Sequence, residues 1–377
     1  MKQKLKHNKS KHQPNFLQKP FWHKRAVRYS VLAVVILAFS GLSVSLAAMQ
    51  YQVADDQNDS VPVKPADQSV VVVPEPTELP RQLDGVIVPK ASANLWPVAV
   101  MYDNNPAARP HAGLATASVV YNTLVEGGAT RIMAVFSPDT KAGRIGPVRS
   151  ARAYYLEWLS EYEGLYVHAG GSPQAMETIS AFSLNDLNCI GAGARYCYRD
   201  RTGFAPHNLF TDDEKMVYAL RDMALLDKTP SYKTWRFKDD DALPDRGTFK
   251  TVTLKYSSGT YNARYDYNRE ANIYQRLNGN DPHLDRNTNQ QIAPKNVIIQ
   301  VVPPISGIHE KGRIDLSVTS SGRAVLLRDG LVIEGRWVKP LRVDRTVFYA
   351  DDGTELKLNR GQTWVEVLPE PREFPIE

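Results

Sequence analysis

Two acidic side chains close apolar runs early in the chain. Asp103 ends W-P-V-A-V-M-Y-D, and Glu126 follows S-V-V-Y-N-T-L-V. A carboxyl at the end of a buried strand is partly desolvated, which raises its pKa. A raised carboxyl suits a general acid acting on a glycosidic oxygen. Glu126 is the candidate for that role, with Asp103 or His207 assisting. Pairing of Glu126 with Arg131 or Arg149 is the competing reading.

The second chemical feature is R-I-G-P-V-R-S-A-R, from Arg144 to Arg152. Gly146-Pro147 makes a turn and Ser150 is the expected N-cap of the helix that follows. Arg149 then precedes the helix and Arg152 lies in its first turn. A cation at a helix N-terminus is disfavoured by the dipole unless something negative sits beside it. Free backbone N–H groups and the guanidinium fork both match a carboxylate or phosphate. The anion is either a bound ligand or an internal carboxylate from Asp103, Glu126, Asp186 or Asp200.

Two further stretches carry polar groups at turns. In H-A-G-G-S-P-Q-A, from His168, a strand runs into a glycine turn and Ser172 caps a helix with proline at its first position. This is an anion cradle or an ordinary strand-to-helix turn, with His168 as a ligand contact or a buried carboxylate partner. In Y-R-D-R-T-G-F-A-P-H-N-L, from Tyr198, the residues Arg199, Asp200, His207 and Asn208 lie in a loop. They serve a ligand or satisfy the loop's own backbone.

The elements that must position these residues alternate in type. Strands are predicted up to Asp103, over 118–125, from Arg131 and up to Gly171. Apolar spacing at Tyr155, Trp158, Leu159 and Tyr162 predicts a helix. Another is predicted through Met176 and Ile179, and Thr211-Asp-Asp-Glu214 opens a third as a capping box. Alternating strands and helices predict an α/β domain over 93–243. Strand-like runs dominate 244–377, which reads as a smaller β-rich domain or an extension of the first sheet.

The formal net charge of +5 misleads. Nine of the 46 basic residues fall between Lys2 and Arg28, before the first acidic residue at Asp55. The remaining 37 face 41 acidic residues, so a nucleic-acid footprint is absent. Residues 29–49 are uncharged and long enough to span a bilayer, with the basic segment 1–28 on the cytoplasmic side. A cleaved signal peptide is the alternative. Residues 50–92, rich in proline, read as a tether. No cysteine sits near the end of the apolar run, which excludes a lipid-modified N-terminus. Cys189 and Cys197 are the only cysteines; outside the membrane they are a disulfide candidate and too few for a cysteine zinc site. Walker, nucleophile-elbow and zincin motifs are missing. No cofactor and no metal are expected.

In order, P-V-A-V-M-Y-D-N-N-P-A-A-R-P-H-A-G-L, L-V-E-G-G-A-T-R, I-G-P-V-R-S-A-R, V-H-A-G-G-S-P-Q-A and P-H-N-L resemble the YerB-like family of bacterial cell-surface proteins. The ending G-Q-T-W-V-E-V-L-P, from Gly361, is similar too. The resemblance implies a membrane-tethered extracytoplasmic protein with an α/β domain and a smaller C-terminal domain, and no established activity. Its typical member resembles a lipoprotein, from which this N-terminus departs. The motif positions are Asp103, Arg109, Glu126, Arg131, Arg149, Arg152, His168, Arg199, His207 and Asn208. The expected function is binding of an anionic envelope ligand, a glycan or phosphate-linked precursor, in an arginine-lined cleft. The alternatives are a glycan-cleaving enzyme using Glu126 and a non-catalytic partner of envelope enzymes.

Overall fold

The structure, a computed structural model, describes residues 75–377. The expected membrane helix and most of the expected tether lie outside the described residues. Among the described residues no helix is long and apolar enough to cross a membrane. The tether expected over 50–92 gives way earlier than expected. Glu78–Pro80 pairs with Ile87–Pro89, and between them Leu83 and Asp84 are buried. Asp84 accepts a hydrogen bond from Ser118 and its carbonyl accepts one from Gly361 N. Pro80 and Pro89 sit at the ends of this two-stranded ribbon, where a missing N–H costs nothing.

Val98–Asp103 (β1) is buried at every position. Val98, Val100 and Tyr102 face one core, Ala99 and Met101 the other. A strand with two apolar faces must lie inside a sheet covered on both sides. That sheet has ten strands. The N-terminal half supplies β1, Val119–Leu124 (β2), Thr130–Phe136 (β3), Leu165–His168 (β4) and Asp186–Asn188 (β5). The C-terminal half first builds a separate antiparallel sheet from Thr251–Leu254 (β6), Ala263–Asn268 (β7), Ile273–Asn278 (β8) and Asp281–Pro282 (β9). It then adds Asn296–Val302 (β10), Ser321–Arg328 (β11), Leu331–Val338 (β12), Val347–Ala350 (β13) and Thr363–Pro369 (β14) to the large sheet. The order is β13-β12-β11-β10-β14-β2-β3-β1-β4-β5. The C-terminal half therefore extends the first sheet as well as forming a sheet of its own. The join is β14, parallel to both β10 and β2.

Three α-helices occur among the described residues, so strands outweigh helices more than the expected alternation suggested. Ala153–Leu159 (α1) buries Tyr154, Tyr155, Leu156, Trp158 and Leu159. Its N-cap is Arg152, without a side-chain cap. Ser150, the expected cap, donates instead to the Ala169 carbonyl. Pro173–Ala181 (α2) starts as expected, with Ser172 Oγ accepting from Ala175 N at 3.2 Å and proline just inside. Asp213–Asp222 (α3) is capped by Asp212, one residue past the expected Thr211. Helices α1 and α2 cover one face of the large sheet. The β6–β9 sheet and α3 cover the other. Cys189 and Cys197 are disulfide-bonded, with Cα atoms 5.6 Å apart.

Candidate functional site

Strands β1, β4 and β5 run parallel, so their C-terminal ends share one edge of the sheet. In open sheets of this type ligands bind outside those ends. The arginine run crosses this edge. Asp103 N donates to the Pro147 carbonyl at 2.9 Å, Arg149 N to Met101 at 2.8 Å, and Ala151 N to Gly170 at 2.9 Å. The loop carrying His207 is tied to the same segment, because Val148 N donates to the Leu209 carbonyl at 2.6 Å. Backbone pairing thus brings together three residues distant in sequence.

Their side chains meet at Asp103, which is 4% exposed. His207 Nδ1 lies 2.7 Å from Asp103 Oδ2. A carboxylate only accepts, so Nδ1 carries the proton, which makes Nε2 the lone-pair nitrogen of the neutral tautomer. Arg149 Nε lies 3.2 Å from the same oxygen, but is not aligned for a hydrogen bond and has no other partner. The side chains of Arg149 and His207 remain 27% and 21% exposed. Among the described residues Asp103 Oδ1 accepts from Asn105 N at 3.1 Å. This buried carboxylate orients a partly exposed imidazole beside a guanidinium whose fork is not consumed by the protein.

The other arginines of the motif are used internally. Glu126 receives Arg152 through both Nε, at 2.8 Å, and Nη2. Arg131 lies 3.8 Å from the same carboxylate and donates to the Ser150 carbonyl at 2.8 Å. Burial pushes the Glu126 carboxyl up, but the Arg152 hydrogen bonds and the charges of Arg131 and Arg152 outweigh it and hold the group at about 2. The raised carboxyl expected from the strand end is therefore absent. Glu126 stays ionised at neutral pH and has no proton to give a glycosidic oxygen. Asp103 and Glu126 are not brought together either; Arg131 on β3 stands between the strands that end at them.

The remaining motif residues hold loops. His168 is fully buried, with Nδ1 2.8 Å from the Gly170 carbonyl and Nε2 3.0 Å from Asp186. Ser172 is a helix cap. Arg199 donates to Asn208 at 2.8 Å, and Asn208 in turn donates to the Asp200 and Gly203 carbonyls. These bonds close the loop that presents His207. Arg144 pairs with Asp200 at 2.7 Å. Arg109 is bonded to Asn104, the residue after Asp103, and to the Thr260 carbonyl across the boundary between the two halves.

A buried polar chain behind Asp103 was not foreseen. Its carbonyl lies 2.7 Å from His111 Nε2, His111 Nδ1 lies 2.6 Å from His283 Nε2, and His283 Nδ1 lies 2.7 Å from Arg276 Nη1. Arginine only donates, so the direction is fixed along the whole chain. Arg276 donates to His283, His283 to His111, and His111 to Asp103. Burial pushes His111 down to about 3 and His283 well below the usual range, with nearby arginines adding to both. Arg276 is balanced by Glu366 at 3.3 Å, which also accepts from Tyr256, Tyr265 and Asn122. One signal was available. The alternation Tyr274, Arg276, Asn278 places an arginine at an inward position of a strand.

Comparison with known proteins matches residues 83–225 to the N-terminal domain, and 252–365 to the C-terminal domain, of the proteins of unknown function DUF3048. The chain is 29% identical over 298 residues to YerB, a lipoprotein candidate of Bacillus subtilis (strain 168), covering 78% of this chain and 87% of that protein. Among solved structures it is similar to the crystal structure of Bacillus subtilis YerB, with a TM-score of 0.71 and 27% identity, over 79% of this chain and 99% of the other.

Proposed function

The chain belongs to the DUF3048 family of YerB-like proteins, and on that premise we propose that it is an extracytoplasmic envelope protein binding an anionic group at Arg149. The relative's name as a lipoprotein candidate supports a location at the membrane surface. The single observation that carries the binding reading is the contrast among the arginines. Arg131, Arg144, Arg152 and Arg199 donate hydrogen bonds to the protein, whereas Arg149 Nε only faces Asp103 at 3.2 Å, out of hydrogen-bond alignment. A guanidinium positioned at the strand ends and left unconsumed suits a carboxylate or phosphate of an envelope glycan or lipid-linked precursor. The test is binding of the purified full chain to isolated cell wall and its soluble fragments. Arg149→Ala weakens binding about tenfold or more, as loss of a charge-assisted bond does. Unchanged binding by the folded variant removes the reading.

A second reading rests on the 2.7 Å contact between His207 and Asp103. An imidazole oriented by a buried carboxylate is arranged to take a proton from a hydroxyl or water of a ligand held by Arg149. If so, His207→Gln keeps the ligand bound and stops release of soluble fragments from cell wall. Equal release by the variant discards it.

A further inference from the structure

The outer face of the small C-terminal sheet carries a cavity of about 530 Å³ that, Arg109 apart, none of the sequence motifs marks. It lies where the turns around Gly259 and Gly279 meet Arg109 from the N-terminal half. Its size falls within the usual range for a small-molecule site, but no aliphatic or aromatic side chain lines it. Thr253 and Arg264 are cross-strand partners on β6 and β7 and point away from the core that Val252, Leu254, Ala263 and Tyr265 enter. Asn262, Asn278, Asn280 and Asp281 complete the polar wall.

Their hydrogen bonding is incomplete in an informative way. The buried Oδ1 of Asn262 has no partner. A buried acceptor left unmade is costly and asks for a donor from outside the protein. Arg109 spends Nε, Nη1 and Nη2 once each on Asn104 and Thr260, which leaves part of its five-donor fork for a ligand. Arg264 fixes itself through Nε to Asp266 at 2.8 Å and Thr251 at 3.2 Å. The cavity therefore offers donors and acceptors side by side, and the charge of Arg264 is already matched by Asp266. A hydroxyl is one donor and two acceptor sites in the same place, so adjacent ring hydroxyls match this wall. A phosphate has no donor for Asn262 and meets the Asp281 carboxylate.

We propose that this cavity is a binding site for a neutral saccharide ring, independent of the site at Arg149. Asn262 accepts from a ring hydroxyl there, while Arg109 and Asn280 donate to neighbouring ones. The position between the two halves lets one glycan contact both.

The test is calorimetric titration of the full chain with chitobiose, cellobiose and mannobiose, with glycan strands stripped of peptide, and with sulfate as the anionic control. Saturable saccharide binding is expected. Asn262→Ala weakens it about tenfold or more, and the exposed rim variant Asn280→Ala weakens it by a few fold. Binding of free disaccharides and binding of glycan strands alone both support the site and identify which source it reads. No saturable saccharide binding by the folded chain overturns the proposal. So does binding unaffected by both asparagine variants, or sulfate binding without saccharide binding.

Discussion

His207 and Asp103 are 104 residues apart in sequence and 2.7 Å apart in the fold. The contact fixes which ring nitrogen carries the proton. Asp103→Asn replaces the acceptor with an amide that can turn either face to the ring, so the tautomer is no longer imposed. Long-range nitrogen–proton correlation spectra will show His207 protonated at Nδ1 in the wild-type chain and a mixture in the variant. A wild-type ring protonated at Nε2 contradicts the geometry.

Arg149 and Arg152 separate by substitution, although only two residues lie between them. Arg152→Ala strips the bidentate partner from Glu126 and leaves this partly buried carboxylate only Arg131 at 3.8 Å, which costs about 2 kcal/mol. Arg149→Ala removes an unaligned ion pair to Asp103, which keeps His207 and Asn105 N, and costs under about 1 kcal/mol. Urea denaturation of the two variants checks the order.

The Glu126 carboxyl sits at about 2 in the fold, below its ordinary value of 4.5. Between those values the unfolded chain binds the proton and the folded chain does not. This contribution to stability is complete above about 4.5 and is lost as pH falls towards 2. Glu126→Gln has no such titration, so its unfolding free energy changes less steeply with pH across that window.

The His111–His283 pair moves in the same direction over a different range. Both rings are neutral in the fold, whereas imidazoles in the unfolded chain charge below about 6.5. Stability therefore falls as pH drops from about 6.5 towards 3, the value to which burial pushes His111. Imidazole resonances of both residues will stay unshifted at pH 5. Titration of either near 6.5 is the contrary result.

Reduction of Cys189–Cys197 releases a loop closed across a separation of eight residues. Loop-closure entropy for so short a loop corresponds to about 2.5 kcal/mol. Paired serine substitution will lower the unfolding free energy by about that amount. Because β5 ends at Asn188, hydrogen exchange will rise there first.

Local chemistry was the readable part. Strand β1 was legible because an unbroken apolar run ends at a turn, and α2 because Ser172 and Pro173 are start signals in the right order. The hairpin of β11 and β12 has a local signal as well, Asp329-Gly330, which takes positive φ at both positions, as a tight two-residue turn requires. Arg152 and Arg149 look alike in sequence. Which one meets an internal carboxylate depends on where β2 ends relative to α1, and no local pattern encodes that. The cavity beside Asn262 is assembled from turns 20 residues apart and from Arg109, so its parts share no motif.

Strand β14 is the last strand of the large sheet in chain order, yet it lies between β10 and β2, in the interior of that sheet. Until Thr363–Pro369 arrives, the two halves cannot join through the large sheet, and β2 and β10 each expose an unpaired edge. Closure of the large sheet must therefore wait until Thr363–Pro369 has been made and delivered. A product truncated before Thr363 leaves the large sheet open between β10 and β2. It will show open strand edges to proteases and chaperones, so the architecture makes the completeness of the polypeptide a condition of its survival.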